Sequence, residues 1–312
     1  MKALVTGADG FVGRWLVEHL QGSGDEVWEA PGHGESTHSR RRALDVTDAD
    51  AVEAVMAWAR PGVIYHLAAV AAGPDTAKDI GRAVDVTVRG TAHVLASATR
   101  LDAPPSVLIP SSGEVYGSAG AEPIDEVAAP EPVSLYGATK LAQEAIGLAF
   151  HRSGRLRVAV ARAFNHIGPG QRDAFVVASL ALQLAQGRES SQRPVRIQVG
   201  NLGARRDFTD VRDVVRAYRL IMAGGHFGIP LNVASGRALG IGEVLDRLVD
   251  ASGLDVEVSE DPSRMRTVDV PVVHGSSARL RSLTGWEPQI ALDDTLRDVW
   301  TDALERISAG RS

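Results

Sequence analysis

The sequence predicts an α/β fold: a doubly wound parallel sheet followed by a smaller, mixed α/β C-terminal part. Three observations favour this fold class. Short β-rich runs alternate with longer helical patterns through the first half, a glycine-rich turn joins the first strand to the first helix, and the alternation stops near residue 166. Strands alternating with helices of this length are typical of right-handed βαβ units, whose strands are parallel.

Hydrophobic periodicity places the elements of the first half. Strands are expected at 2–7, 25–30, 62–69, 106–112 and 157–165, and helices at 11–24, 48–59, 84–100 and 136–154. Pro110 has no N–H to give to a neighbouring strand. We therefore expect the fourth strand to end at Ile109.

The second half is less regular. After the turn-rich "NHIGPGQ" we expect helices at 174–187 and 210–224, one starting at Ile241, and a last one at 292–307, with strands at 195–200 and 230–235. No internal repeat and no linker rich in Pro or Ser separates the two parts, so they are expected to pack as one unit.

The composition argues against several classes of binding partner. The chain of 312 residues has a net charge of −6 and no basic block, which argues against nucleic acid or an anionic membrane as a partner. It has no cysteine, hence no disulfide framework and no thiolate metal site, and no metal is expected. No apolar run approaches the ~18 residues of a membrane span, and the N-terminus lacks signal-peptide features. A soluble, cytoplasmic protein is the expectation.

The stretch "TGADGFVG" places Gly7, Gly10 and Gly13 between the first strand and the first helix, with Phe11 and Val12 among them. Glycines let the backbone turn tightly and approach a pyrophosphate, which binds at the positive end of the helix. The position in a βαβ unit strengthens the motif; the alternative is a glycine-rich tight turn. A dinucleotide site is predicted here.

Two further segments lie where a dinucleotide would extend. Asp45, followed by Val46 in "LDVTD", could meet the adenine edge; the alternative is a helix N-cap, for which Asp48 competes. Leu67, Ala68 and Ala69 of "HLAA" end a strand at the edge where a doubly wound sheet binds its ligand. Their small side chains suit close approach of a cofactor, but also ordinary core packing.

Ser112, Tyr136 and Lys140 form the candidate catalytic group. Only three of the 33 basic residues are lysine, and Lys140 follows Tyr136 by four positions, so both lie on one helix face. An ammonium beside a phenol lowers the tyrosine pKa and makes it usable as an acid or base. Ser112 can hydrogen-bond the oxygen on which charge develops. The alternative is a chance pair on a helix surface.

A set of motifs spread over nearly the whole chain is recognisable: "TGADGFVG", "HLAA", "SSGEVYG", "YGATK", "FNHIGPGQ", "RRDFTDVRD", "LNVASG", "RTVDVP" and "TGWEP". On these motifs the sequence resembles the extended short-chain dehydrogenase/reductase family, in its nucleotide-sugar branch. The resemblance implies a Rossmann fold. It further implies that residues 1–165 bind the dinucleotide, that 205–235 return to that domain, and that 166–312 mainly bind the substrate.

The resemblance also implies roles for single residues. Tyr136 would be the acid/base, Lys140 its electrostatic partner and a contact of the nicotinamide ribose, and Ser112 the oxygen-binding hydroxyl. The substrate residues would be Glu114, Asn165, Arg206 and Arg266, the two arginines clasping the diphosphate as a guanidinium fork can. One departure is Asp85, where the family often has Asn.

As activity, the resemblance implies NAD(P)H-dependent reduction of the C4 ketone of a nucleotide-linked 4-keto-6-deoxyhexose, with GDP-4-keto-6-deoxymannose giving GDP-rhamnose. A nucleotide-sugar 4,6-dehydratase or 4-epimerase is the alternative: Glu114 fits it, but Gly113 stands where some dehydratases carry an acid. A more distant alternative is a non-catalytic dinucleotide sensor, a class that typically loses the Tyr/Lys pair.

The cofactor could be NADP or NAD. Members that prefer NAD usually carry an acid at the end of the second strand, where this chain has Pro31, with Glu29 slightly earlier. His33 and the arginines at 40–42 could meet a 2′-phosphate instead, which slightly favours NADP; a solvated loop is the alternative. The resemblance also implies a homodimer formed through two helices, near 90–100 and 137–150.

Overall fold

The computed structural model describes residues 1–34, 38–71, 76, 78–117, 122–190, 193–265 and 270–310. Its largest feature is a parallel sheet. It has six strands in the order β2-β1-β3-β4-β5-β9. Their bounds are Lys2–Thr6 (β1), Glu26–Ala30 (β2), Val63–His66 (β3), Ser106–Ser112 (β4), Arg157–Ala163 (β5) and Pro230–Val233 (β9). The strand order reverses direction between β1 and β3, as expected of a doubly wound sheet.

Some of the helices cover both faces of this sheet, and others pack in a separate core. The helices are Phe11–Gly22 (α1), Ala49–Ala59 (α2), Leu135–Arg152 (α4), Val176–Glu189 (α5), Val211–Gly224 (α6), Ile241–Ser252 (α7), Ala278–Thr284 (α8) and Leu292–Ser308 (α9), with α3 made of the consecutive segments Ile80–Val84, Asp85–Arg89 and Gly90–Ala98. The middle segment of α3 has π-helical geometry. One core joins α1 and α6 to the sheet, and a second joins α2, α3 and α4 to its other face. The predicted α/β, doubly wound fold class is confirmed.

The remaining strands form smaller sheets. They are Asn165–Ile167 (β6), Val195–Val199 (β7), Arg205–Asp210 (β8), Ala238–Gly240 (β10), Val256–Glu260 (β11) and Val272–Val273 (β12). β8 pairs with β6, β10 and β12, and β11 pairs with β7. Apolar residues of α5, α7, α9 and β7 enclose a separate core around Leu184, Leu248 and Trp300.

The chain returns to the large sheet after leaving it. β9 pairs with β5, and α6, which precedes β9, packs against α1. β8, by contrast, belongs to the smaller sheet. The division of the chain into a cofactor domain and a substrate domain stays a prediction. Within the described residues, no helix is long and apolar enough to cross a bilayer, and no group of side chains is arranged to hold a metal ion.

The prediction that β4 ends at Ile109 is wrong. β4 continues through Pro110 to Ser112 and pairs with β5 over its whole length. Its pairing with β3 stops earlier, at Leu108. Proline is tolerated at this position because the strand no longer has a neighbour on that side that needs an N–H. The extra residues carry Ser112 to the edge of the sheet.

Candidate active site

A large cleft runs along the carboxyl edge of the parallel sheet and brings most of the predicted residues together. Its volume is about 1500 Å³, larger than the roughly 300–1,000 Å³ of a site for one small ligand. Its lining includes the predicted residues Gly7, Gly10, Phe11, Val12, Gly13, Asp45, Val46, Leu67, Ala68, Ala69, Ser112, Glu114, Tyr136, Lys140, Asn165 and Arg206. Arg266, the remaining predicted residue, lies outside the described residues.

The turn before α1 has the geometry of a phosphate-binding loop. Gly7 has a φ of +67°, which favours glycine. A Cβ on Gly13 would lie 2.2 Å from the carbonyl oxygen of Gly7, so the two backbone segments pass too close together for a side chain at residue 13. Gly10 caps α1 without a side-chain hydrogen bond, and the first turn of α1 has no acidic residue. The positive end of the helix therefore faces the cleft with no acidic residue in its first turn, which fits the pyrophosphate of a dinucleotide.

Asp45 is not the cap of α2. Asp48 takes that position and accepts hydrogen bonds from the backbone N–H groups of Asp50 and Ala51. Asp45 accepts hydrogen bonds from the hydroxyl (2.7 Å) and the backbone N–H (2.9 Å) of Thr47, and these bonds lower its pKa. The carboxylate therefore stays ionised at the cleft wall, where it is able to accept a hydrogen bond from an adenine amino group.

A side pocket of about 370 Å³ adjoins the cleft at Asp9 and Arg14, and Glu29 and Arg41 are among its other lining residues. The Glu29 carboxylate accepts a 2.5 Å hydrogen bond from Arg41. His33, by contrast, has a 90% exposed side chain. Glu29 is thus already paired with a cation, so its charge is not free to repel an anionic ligand.

Tyr136 is placed beside Ser112, as predicted, but its pKa moves in the opposite direction. The hydroxyl is shielded from water although the ring is partly exposed, and this shielding raises the pKa of Tyr136 above its usual range. The negative charge of Glu114 raises the pKa further, while the hydrogen bond with Ser112 opposes the rise. The expectation that Lys140 lowers this pKa is wrong in this structure: the ammonium is directed to Gln143 instead, at 2.5 Å.

Lys140 is itself a perturbed group. It is only 4% exposed, and burial lowers its pKa to about 7, against the opposing effect of the Glu144 carboxylate. Glu144 is held in turn by Arg162, whose Nε donates to it at 3.0 Å, and by the hydroxyl of Ser111, also at 3.0 Å. A lysine that titrates near neutral pH in a cleft is characteristic of a functional site.

Glu114 is the carboxylate that acts on Tyr136. It accepts a 2.6 Å hydrogen bond from Ser134, which also caps α4 by accepting from the N–H of Gly137 at 2.9 Å. The neighbouring Gly113 leaves no space for a second acid. A Cβ there would lie 2.8 Å from the ring of Phe164, which is itself 3% exposed and packed in a core cluster.

Asn165 and Arg206 lie on the opposite wall. Asn165 of β6 is paired in register with Phe208 of β8, and Arg206 is two residues before Phe208, so the three side chains share one face of the sheet. Arg206 is 9% exposed, and one of its terminal nitrogens donates to the carbonyl oxygen of Arg205 at 2.9 Å. This arrangement fits a phosphate ligand on that wall.

The sequence did not predict two aromatic residues of the cleft. His166 stacks on Phe11 with ring centroids 6.1 Å apart, and Tyr218 of α6 is close enough for the charge of Tyr136 to affect its pKa, although burial is the larger cause of the rise. His166 stands in a motif that sequence inspection had singled out for its neighbour Asn165. Tyr218 carried no signal, because its position follows from the return of α6 to the large sheet.

Comparison with known proteins shows the family to which the chain belongs. The model of the "NAD dependent epimerase/dehydratase family" matches residues 3–234. The chain belongs to this family. It is 35% identical over 309 residues to GDP-6-deoxy-D-mannose reductase from Pseudomonas aeruginosa, covering 98% of each chain.

Solved structures agree in fold. RMD from Pseudomonas aeruginosa, complexed with NADPH, has a TM-score of 0.86 at 34% identity, with 97% of this chain and 99% of that chain covered. UDP-glucose 4-epimerase from Thermus thermophilus, complexed with NAD, has a TM-score of 0.84 at 26% identity, with 97% and 99% covered. The resemblance to the extended short-chain dehydrogenase/reductases is confirmed, and the protein is an NAD(P)-dependent enzyme.

Proposed function

We propose that the protein reduces the C4 ketone of GDP-4-keto-6-deoxymannose to give GDP-rhamnose. The observation that carries this proposal is the surroundings of Tyr136: a protonated phenol beside Ser112, with one carboxylate, Glu114, and no space for a second acid at Gly113. The similarity to a GDP-6-deoxy-D-mannose reductase over 98% of the chain supports the same substrate class.

Bound NAD(P)H supplies the hydride that reduces the sugar ketone. Tyr136 donates its proton to the ketone oxygen as the general acid of the reduction, and its phenol is protonated at neutral pH. The Ser112 hydroxyl donates a hydrogen bond to the same oxygen and so stabilises the charge that develops there. Lys140 supplies the nearby positive charge and binds the nicotinamide ribose.

Binding of the nucleotide sugar is assigned to the opposite wall. Asn165 and Arg206 would hold the diphosphate, and Arg266 would complete the clasp as the sequence predicts. Glu114 would accept a hydrogen bond from a sugar hydroxyl, since its carboxylate is oriented by Ser134 at the start of α4. A carboxylate fixed in this way orients a substrate more readily than it shuttles a proton.

A 4-epimerase is the second candidate, because the structure with a TM-score of 0.84 is a UDP-glucose 4-epimerase. A 4,6-dehydratase is less consistent with the site, since it needs one group to remove the C5 proton and another to protonate the C6 leaving oxygen. A non-catalytic sensor is the least consistent, since Tyr136, Lys140 and Ser112 all line the cleft.

The proposal is tested by supplying the purified protein with GDP-mannose and, separately, with its 4-keto-6-deoxy derivative, each with NADPH or NADH. Oxidation of the cofactor is expected only with the keto sugar. Conversion of GDP-mannose to the keto sugar without added cofactor would overturn the reductase proposal in favour of a dehydratase. No reaction with either sugar would overturn the substrate that is proposed.

Three finer points belong to the same proposal. NADP is the preferred dinucleotide, since the pairing of Glu29 with Arg41 removes a free negative charge beside the adenosine end of the cleft. The enzyme works in the cytoplasm as a homodimer formed through Gly90–Ala98 of α3 and through α4. Sedimentation of the purified protein checks the dimer.

A further inference from the structure

A chain of buried polar side chains leads from Lys140 to the turn after β3. The Lys140 ammonium donates to Oε1 of Gln143 at 2.5 Å, and Nε2 of Gln143 donates to the Thr91 hydroxyl at 2.8 Å. The same hydroxyl lies 2.9 Å from Nε2 of His66, whose Nδ1 lies 2.8 Å from the hydroxyl of Thr6. The chain ends at the backbone N–H of Ala68, which donates to Thr6 at 3.2 Å. None of the five side chains is more than 4% exposed.

Thr91 fixes the direction of every hydrogen bond in this chain. Its single hydroxyl proton goes to the carbonyl oxygen of Thr87, at 2.6 Å. Thr91 must therefore accept from both of its other partners, because a hydroxyl has one proton and two lone pairs. Gln143 presents its NH₂ group to Thr91, which leaves its carbonyl oxygen for Lys140. His66 likewise presents a protonated Nε2 to Thr91.

The other half of the chain follows from His66. A neutral imidazole protonated on Nε2 accepts at Nδ1, so the Thr6 hydroxyl donates there and accepts from Ala68. Burial and the positive charge of Lys140 lower the pKa of His66 to about 3, which keeps the ring neutral in this one tautomer. The bonds of the chain are consistent with a single set of proton positions, and rotation of the Gln143 amide by 180° would oppose two donors at Lys140.

We propose that Gln143 is a positioning residue that fixes the Lys140 ammonium through this hydrogen-bond chain and ties it to the cofactor-binding turn at Ala68. The proposal rests on the proposed role of Lys140 in binding the nicotinamide ribose. One N–H of Lys140 is held by a carbonyl oxygen that cannot rotate away, and the remaining two are left for the cleft that Lys140 lines. A fixed carbonyl acceptor also favours the charged form of the lysine.

Other charged and titratable groups surround Lys140 and bear on any test by pH. They are Tyr136 and Glu144 on α4, His66 at the end of β3, Asp85 on the π-helical segment of α3, Glu114 and Tyr116 after β4, Arg162 on β5 and Tyr218 on α6. Glu144 raises the pKa of Lys140, and Arg162 and Ser111 hold the Glu144 carboxylate in place. Of these groups, His66 is the one that the chain joins to Gln143, through Thr91.

The test is the dissociation constant of NADH as a function of pH, without sugar, for Gln143→Met and Gln143→Glu. NADH is used because the 2′-phosphate of NADPH itself takes up a proton at about pH 6. Lysine binds the cofactor as a cation, so affinity is lost as pH rises through its pKa, which burial has lowered to about 7. Gln143→Met removes the hydrogen-bond acceptor of the Lys140 ammonium. We therefore expect the midpoint of the fall in cofactor affinity to move to lower pH. A carboxylate in Gln143→Glu is expected to move it to higher pH. A shift of about one pH unit corresponds to roughly a tenfold change in affinity at a pH above both midpoints.

Three controls make the result decisive. Ser97→Ala removes another buried hydroxyl of α3, outside the chain, and should leave the midpoint unchanged. Thr91→Val frees the Gln143 amide to rotate and should shift the midpoint in the direction of Gln143→Met. A thermal unfolding curve for each variant checks that the variant is folded. If Gln143→Met does not fold, the midpoint of Gln143→Glu alone decides the test.

Failure of this proposal can be distinguished from failure of the proposed function through Lys140→Met. Midpoints that are unchanged in both Gln143 variants, while Lys140→Met abolishes the pH dependence, would overturn the positioning role of Gln143 and leave the role of Lys140 intact. A pH dependence that persists in Lys140→Met would overturn the assignment of Lys140 itself, and the positioning role with it.

Discussion

Tyr136 shows how the surroundings of one residue change its acidity. Shielding of the hydroxyl and the charge of Glu114 both raise its pKa, so the phenol is protonated at neutral pH. The sequence predicted a lowered pKa. The difference arises because Lys140 donates to Gln143 in this structure, a contact that the sequence alone could not reveal.

Tyr136→Phe removes the proposed acid and leaves the ring. We expect turnover of the keto sugar to fall by about 10²- to 10⁴-fold, as for loss of a general acid, while the dissociation constant of NADPH changes little. Tyr65→Phe is the matched control, because it removes a buried hydroxyl that has no hydrogen-bond partner in the described part of the chain. Near-normal turnover of Tyr136→Phe would remove Tyr136 from the mechanism.

β8 connects the smaller sheet to the substrate wall of the cleft. Its charged sequence "RRDFTD" gave no strand signal, yet Asp207 and Asp210 are both buried. Asp207 accepts from the backbone N–H groups of Ser235, Gly236 and Gly275, and Asp210 caps α6. These partners lie outside the strand in the sequence, so the pattern of hydrophobic residues could not predict it.

Arg206→Ala should weaken binding of the nucleotide sugar but not binding of the dinucleotide. Loss of a charge-assisted hydrogen bond costs roughly 1.5–3 kcal/mol, so we expect about ten- to a hundredfold weaker binding of the nucleotide sugar, measured by calorimetry, and unchanged binding of NADPH. Arg205→Ala is the neighbouring control, because Arg205 pairs with Glu243 at 2.9 Å on an exposed surface. Loss of NADPH affinity in Arg206→Ala would show that the two walls are assigned wrongly.

The edge beyond β2 tests the proposed preference for NADP. Arg41→Ala uncovers the carboxylate of Glu29 beside the side pocket and removes a cation from it. We expect NADPH to bind about tenfold more weakly, with little change for NADH, since NADPH alone has the 2′-phosphate. Arg40→Ala, which removes the partner of Glu26, is the control. An equal effect on both cofactors would contradict the preference for NADP.

At the scale of elements, the sequence predicted the parallel sheet and most of the helices, because βαβ periodicity is local. It could not predict α3 as three segments, β11, or the continuation of β4 through Pro110, since each depends on which strand or helix lies alongside. The candidate site was predicted at the level of motifs. The contacts between motifs, such as those of Gln143 with Thr91 and of Thr91 with His66, required the fold.

At the scale of the whole molecule, the cleft forms where the two parts of the chain meet. The indole of Trp15 in α1 donates to the carbonyl oxygen of Pro169 at 3.1 Å, and the ring of Phe11 stacks on His166. Helix α1 therefore touches the loop that precedes α5. This contact brings the proposed substrate wall next to the proposed cofactor wall.

The central claim is that the added cofactor reduces the sugar and is consumed in each turnover. The most direct measurement uses NADPH that carries deuterium at both C4 positions, together with GDP-4-keto-6-deoxymannose, and determines the label at C4 of the product by mass spectrometry and NMR. A reductase transfers one deuterium to each product molecule, because the hydride comes from the cofactor in solution. We expect fully labelled GDP-rhamnose and an equal amount of NADP⁺. Product that forms without label would contradict this account, because an epimerase returns hydride from its own bound cofactor.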